Sequence, residues 1–141
     1  MTGALSDYLR EQSGHLLEYT TCLRAAARAH ADEPDVATLT EKFAKECERQ
    51  AERVNAMSPA AALDSSIQQF APAGLLRDLK ELCVLGTRLE IGWIALEQAA
   101  QGARDKELLE LSSSARTEID DQIKWFRTRL KASAPQALLV S

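Results

Sequence analysis

The chain of 141 residues has little of what a β-protein needs. Val and Ile together fill only nine positions, against 43 for Ala and Leu. Strands favour β-branched residues and helices favour Ala and Leu, so the bias excludes a sheet-rich fold. Six Gly and four Pro are too few for the turns of a sandwich or barrel. Three cysteines, Cys22, Cys47 and Cys83, share no CxxC or other close spacing. That excludes a disulfide framework and points to a reducing, cytoplasmic setting. Two His are too few for a His-rich iron site. The longest apolar run, Ile91–Leu96, is far shorter than the roughly 20 residues of a membrane span. The N-terminus has no basic stretch followed by an apolar one, so no signal peptide is expected. Net charge is −4, with 17 basic residues scattered among 21 acidic ones. Without a basic stripe interleaved with aromatics, nucleic acid is excluded as a partner.

What is present is helical periodicity, in four stretches. The first opens at Ser6 or Asp7, either of which can cap a helix. Its inward stripe is Leu5, Tyr8, Leu9, Gln12, Leu16, Tyr19, Leu23 and Ala26. Ala31-Asp32-Glu33-Pro34 stops it, and Asp35 caps the second helix. That helix buries Val36, Leu39, Phe43, Cys47, Gln50, Val54 and Met57, and ends at Ser58-Pro59. The third runs from about Ala73 to Gln101 along Leu76, Leu79, Leu82, Cys83, Gly86, Leu89, Glu90, Trp93, Leu96, Glu97 and Ala100, with Gly102 as its C-cap. The fourth opens at Asp105, turns Leu108, Leu111, Ala115, Ile119, Gln122, Phe126 and Leu130 inward, and ends at Pro135. The reading is an all-α four-helix bundle over residues 1–134, with a C-terminal tail over 135–141.

The connection from Ala60 to Pro72 selects the topology. Helices of about 23 residues are roughly 34 Å long at about 1.5 Å per residue. Some 15 extended residues reach on the order of 50 Å, enough to return along the whole bundle. A crossover makes helices two and three parallel; a plain up-down-up-down bundle leaves the segment a loose loop. With the crossover, His15, Gln50, Glu90 and Gln122 fall at a common height, one per helix, which favours it. These four form a candidate hydrogen-bonded layer inside an Ala/Leu core, of the kind that sets helix register. A small-molecule pocket between the helices is an alternative use of the same groups.

Three segments carry a family resemblance. Phe43-Ala-Lys-Glu-Cys-Glu-Arg-Gln-Ala-Glu-Arg-Val-Asn55 resembles the second helix of bacterial stress-associated members of the ferritin-like superfamily. Arg88-Leu-Glu-Ile-Gly-Trp-Ile-Ala-Leu96 resembles the third, and Ala115-Arg-Thr-Glu-Ile-Asp-Asp-Gln-Ile-Lys-Trp-Phe126 the fourth. The resemblance implies a long crossover and an iron or manganese cage, built from a Glu on each of two helices and a Glu-x-x-His on each of the other two. Carried over by position, it implies Glu90, Glu118 and Glu46 as carboxylate ligands, with His15 the neighbouring imidazole. Asp121 stands three residues after Glu118, and Arg49 three after Glu46, so both His ligands of the pattern are missing. The leading expectation is therefore a non-catalytic ferritin-like bundle with a degenerate ligand set and no cofactor, acting through self-assembly or partner binding. A carboxylate-bound iron or manganese protein or oxidase is the alternative, and a ligand-binding bundle the second alternative.

Two further features bear on partners. Cys22, Cys47 and Cys83 lie near mid-height on three helices, either as core residues or as a soft-metal site. Helix three is apolar nearly all round, and Val84, Ile91 and Ile94 lie away from its inward stripe. A covered face is implied, and a homodimer through helix three is the simplest cover. The apolar tail Ala137-Leu-Leu-Val140 is the other candidate, either as a cover for that face or as a docking segment for a protein partner.

Overall fold

The computed structural model describes residues 3–58 and 71–139. Among these it holds four helices and no strands: α1 (Gly3–Ala29), α2 (Pro34–Met57), α3 (Leu75–Ala103) and α4 (Lys106–Leu139). Their apolar faces meet in one core that includes Leu9, Leu16, Leu23, Phe43, Leu82, Leu89, Trp93, Leu111, Ile119 and Phe126. Phe43, Trp125 and Phe126 pack edge-to-face, with centroids 5.5–6.1 Å apart, and hold α2 against α4. No described helix is long and apolar enough to cross a membrane.

Cross-helix pairs give the helix directions. Short turns join α1 to α2 and α3 to α4, so each of these pairs is antiparallel. Between α1 and α3, Gln12 meets Leu89, Tyr19 lies against Gly86 and His30 bonds Asp78. Numbers rise on one helix as they fall on the other. Between α2 and α4 the sequence of pairs is Asp35 with Arg129, Phe43 with Phe126 and Glu46 with Gln122. Helices α2 and α3 therefore run in the same direction. Most of the connection between them, the expected crossover, lies outside the described residues.

Helix ends depart from the sequence reading in four places. Helix α1 begins at Gly3, before the expected caps Ser6 and Asp7. Pro34 opens α2 at its first turn instead of preceding it, where a missing N–H costs nothing. Asp35 does not cap. It accepts from Arg129 Nε at 2.7 Å, and Arg129 also reaches Glu33 at 3.1 Å, which ties the α1–α2 turn to α4. Burial raises the Asp35 carboxyl, but Arg129 and backbone N–H groups outweigh it and hold the pKa below the ordinary value. The left-handed residue after α3 is Arg104, at φ 56°, not Gly102. Asp105 does begin α4 as expected, accepting the Leu108 N–H at 3.1 Å.

The fourth departure is the largest. Pro135 does not end α4, which continues to Leu139. A proline inside a helix removes one hydrogen bond and crowds the carbonyl four residues earlier. Here that carbonyl belongs to Lys131, an exposed residue, so water can serve it. Because Arg129 is level with the start of α2, the last ten residues of α4 run beyond it. The expected tail is thus largely helical, and its Leu138 and Leu139 are exposed.

Candidate functional site

Five polar side chains from three helices meet in or beside the core. Tyr19 of α1 is fully buried, and its hydroxyl donates to Gln122 Oε1 of α4 at 2.9 Å. The Gln122 amide nitrogen donates in turn to Glu46 Oε2 of α2 at 2.9 Å. Glu118, one turn before Gln122, faces Glu46, Arg49 and Gln50. The three residue types form a chain of polarity that runs from the centre of the bundle to the α2–α4 seam.

The electrostatics follow from burial. The Tyr19 pKa is pushed well above 10 by desolvation, with Cys47, Cys83 and Glu46 adding to it, so the hydroxyl stays a donor. Burial also raises the Glu118 carboxyl, helped by the neighbouring Glu46 carboxylate; Arg49 and the Gln50 amide pull the other way. The Cys47 and Cys22 thiols are both pushed up to about 12, mainly by burial. Neither is a thiolate at neutral pH, which removes them as nucleophiles. Cys22, Cys47 and Cys83 are all free thiols.

Gln50 is the anomaly. It is 3% exposed and its amide is near enough to Glu118 to lower that carboxyl's pKa, yet among the described residues neither amide atom meets a partner in hydrogen-bond geometry. A buried amide left unpaired costs roughly 1–3 kcal/mol. Replacing it with an apolar residue of similar length removes that cost, so Gln50→Met is expected to hold or raise the melting temperature. Scanning calorimetry decides, and a loss of more than about 1 kcal/mol would mean that the amide has a partner.

The four residues expected to form one layer separate by direction, not by height. Gln50 and Gln122 point into the core. His15 turns to the opposite seam, in a groove of about 350 Å³ between α1 and α3 lined by Tyr8, Glu11, Gln12, Arg88, Ile91 and Gly92 as well. Burial and Arg88 lower its pKa despite Glu11 and Glu18, so the imidazole is neutral at pH 7. Arg88 is itself engaged, donating to Glu18 at 2.7 Å. Glu90 faces Asp120, Arg116 and Lys124 on α4.

The residues implied as metal ligands are divided in the same way. Glu46 and Glu118 meet, whereas Glu90 and His15 lie on other seams. Among the described residues no three His, Cys, Asp or Glu side chains gather where a metal ion could be held. Beside Glu46 and Glu118, Gln122 presents its N–H, not a lone pair, to Glu46, and its carbonyl is taken by Tyr19. An iron or manganese pair needs lone pairs there, so the donor set does not fit.

Two buried hydrogen-bonding residues carried no motif and were not singled out by the sequence. His30 Nε2 lies 2.6 Å from Asp78 Oδ2, and Asp78 Oδ1 accepts the Ala73 N–H at 2.9 Å. This pair joins the end of α1 to the start of α3. Val84, Ile91 and Ile94 are where helical spacing places them, on the outer side of α3, at 55%, 60% and 45% exposure. No family model matches the chain, and neither a curated protein nor a solved structure matches it.

Proposed function

We propose that the chain is a non-catalytic helical protein with the ferritin-like arrangement, one long crossover linking α2 and α3, that works by self-association. The observation that carries this reading is the outer side of α3. Three large aliphatic side chains, Val84, Ile91 and Ile94, stand in water there. Covering each contributes roughly 1.5–3 kcal/mol. The chain's own apolar end is not the cover, because Leu138 and Leu139 are exposed at the far tip of α4. A second copy meeting α3 across a two-fold axis supplies a matching surface, since such an interface pairs one patch with itself. Leu138 and Leu139 remain a second apolar patch for a different protein partner.

The crossover reading draws its support from the shared direction of α2 and α3. The cytoplasmic reading draws on the three free thiols. The reading as an iron or manganese oxidase finds no support in the donor set at Glu46 and Glu118.

Sedimentation velocity at micromolar concentration tests self-association. The expected result is a dimer for the wild type and a monomer for Ile91→Asp, with the helical circular dichroism signal unchanged. The aspartate would place an unpaired charge at the contact, at a cost of several kcal/mol. A wild type that sediments as a clean monomer overturns the proposal.

A further inference from the structure

We propose that the groove between α1 and α3 is a binding site for a small primary amine with an apolar body. Its volume of about 350 Å³ lies at the small end of ligand sites. The groups it leaves open for hydrogen bonding are acceptors. Gln12 is 2% exposed, and its amide nitrogen is used on the Leu89 carbonyl at 2.9 Å. Its carbonyl oxygen, lying over Gly92, accepts no hydrogen bond from the described residues, and this is the end left to the groove. Glu11, also in the lining, makes no ion pair or hydrogen bond among them. Arg88, the one permanent cation there, is held by Glu18 at 2.7 Å, and their formal charges cancel. Glu11 thus leaves the groove with one uncompensated negative charge.

An ammonium group answers that arrangement, because it brings positive charge and three N–H donors and has no acceptor of its own. A divalent metal ion needs several oxygen or nitrogen ligands together, and among the described residues no three His, Cys, Asp or Glu side chains gather to supply them. A carboxylate would meet Glu11 and the Gln12 carbonyl as like to like, and would find Arg88 engaged. The other end of the lining is apolar. The Tyr8 ring and Ile91 are 40% and 60% exposed, and an aromatic face also attracts cations. A ligand with an ammonium head and a short apolar body uses both parts of the groove. Ile91 also stands on the side of α3 proposed to meet a second copy, but the head group is held by α1, so amine binding does not require that contact.

Titration of the folded chain with phenethylamine, followed by amide proton–nitrogen NMR spectra, tests the site. The expected result is a saturable shift of the Gly92 backbone and Gln12 side-chain amide signals, with a Kd on the order of 1 mM. Glu11→Gln, a change at an exposed position, should weaken binding roughly fivefold and leave the helical circular dichroism signal unchanged. Phenethyl alcohol keeps the apolar body without the charge and should bind weaker by a similar factor. Phenylacetate should leave both signals in place at the same concentrations. Equal binding of amine and alcohol, or amine binding that is unchanged in Glu11→Gln, would reduce the groove to an apolar cleft and overturns the proposal. Phenylacetate binding more tightly than the amine would mean that Arg88 is open to anions, and overturns it as well. So does the absence of any shift at Gly92 and Gln12 with amine well above that concentration.

Discussion

Replacing His30 by Ala is expected to destabilise the fold by about 3 kcal/mol. Asp78 is 2% exposed, and its Oδ2 lies 2.6 Å from His30 Nε2. Without the ring, one carboxylate oxygen is left buried and unpaired, and a cavity opens between the end of α1 and the start of α3. The remaining bond, from the Ala73 N–H at 2.9 Å, serves only the other oxygen. Asp78→Ala should cost a similar amount by leaving the imidazole unpaired. The double variant should cost clearly less than the sum, because the two side chains report one interaction. Urea unfolding measures all three. A loss below about 1 kcal/mol for His30→Ala would mean that water replaces the ring without penalty.

Gly92→Leu should be nearly as damaging. Glycine inside a helix costs about 1 kcal/mol relative to alanine, so its presence in the middle of α3 needs a reason. A Cβ at this position would stand 2.0 Å from Gln12 Oε1 and 2.7 Å from Gln12 Cδ. The space is already filled by the Gln12 amide, which donates to the Leu89 carbonyl at 2.9 Å. A leucine would expel that amide and push α1 from α3, an overpacking loss of roughly 2–3 kcal/mol. The smaller change is more diagnostic. Gly92→Ala alone should lose about 1 kcal/mol net, roughly 2 kcal/mol for driving the buried Gln12 amide out of its hydrogen bond less roughly 1 kcal/mol gained in helix propensity. In a Gln12→Ala background the same substitution should gain about 1 kcal/mol from helix propensity. Thermal unfolding of the four proteins reads this reversal of sign, and a loss in both backgrounds would place the obstruction elsewhere.

The candidate site was legible only in part, and the reason is angular. One residue advances a helix by about 100°, so a stripe read from spacing locates a side chain only to within a broad face. Gln50 and Gln122 sit near the middle of their stripes and do point inward. Glu90 and His15 sit at the edges, where a small rotation sends them to an outer seam. Glu90 then faces Asp120, Arg116 and Lys124, and His15 faces Arg88. Gln12 and Tyr19 read as members of an apolar stripe, and nothing in their spacing marked them as hydrogen-bonded. His30 and Asp78 are 48 residues apart, and no local pattern links them.

Helix ends show the same division between local and non-local causes. Asp105 acts on the Leu108 N–H within its own first turn, and such a contact is readable from neighbouring residues. Pro135 reads locally as a stop, yet α4 passes through it. Arg129, six residues earlier, holds α4 to Glu33 and Asp35, which are 96 and 94 residues away in the chain. Tertiary anchoring of that kind outweighs one lost hydrogen bond.

By itself, then, the amino-acid order determined four helices, their inward apolar stripes and the exposed aliphatic side of α3, because each depends on residue type and a period of 3.6. The direction of α3 relative to α1, the Tyr19–Gln122–Glu46 chain, the seat of Gln12 against Gly92 and the His30–Asp78 pair depend instead on how the helices rotate and slide as their side chains interlock. That relative placement is a property of the packed core, and only the tertiary structure decided it.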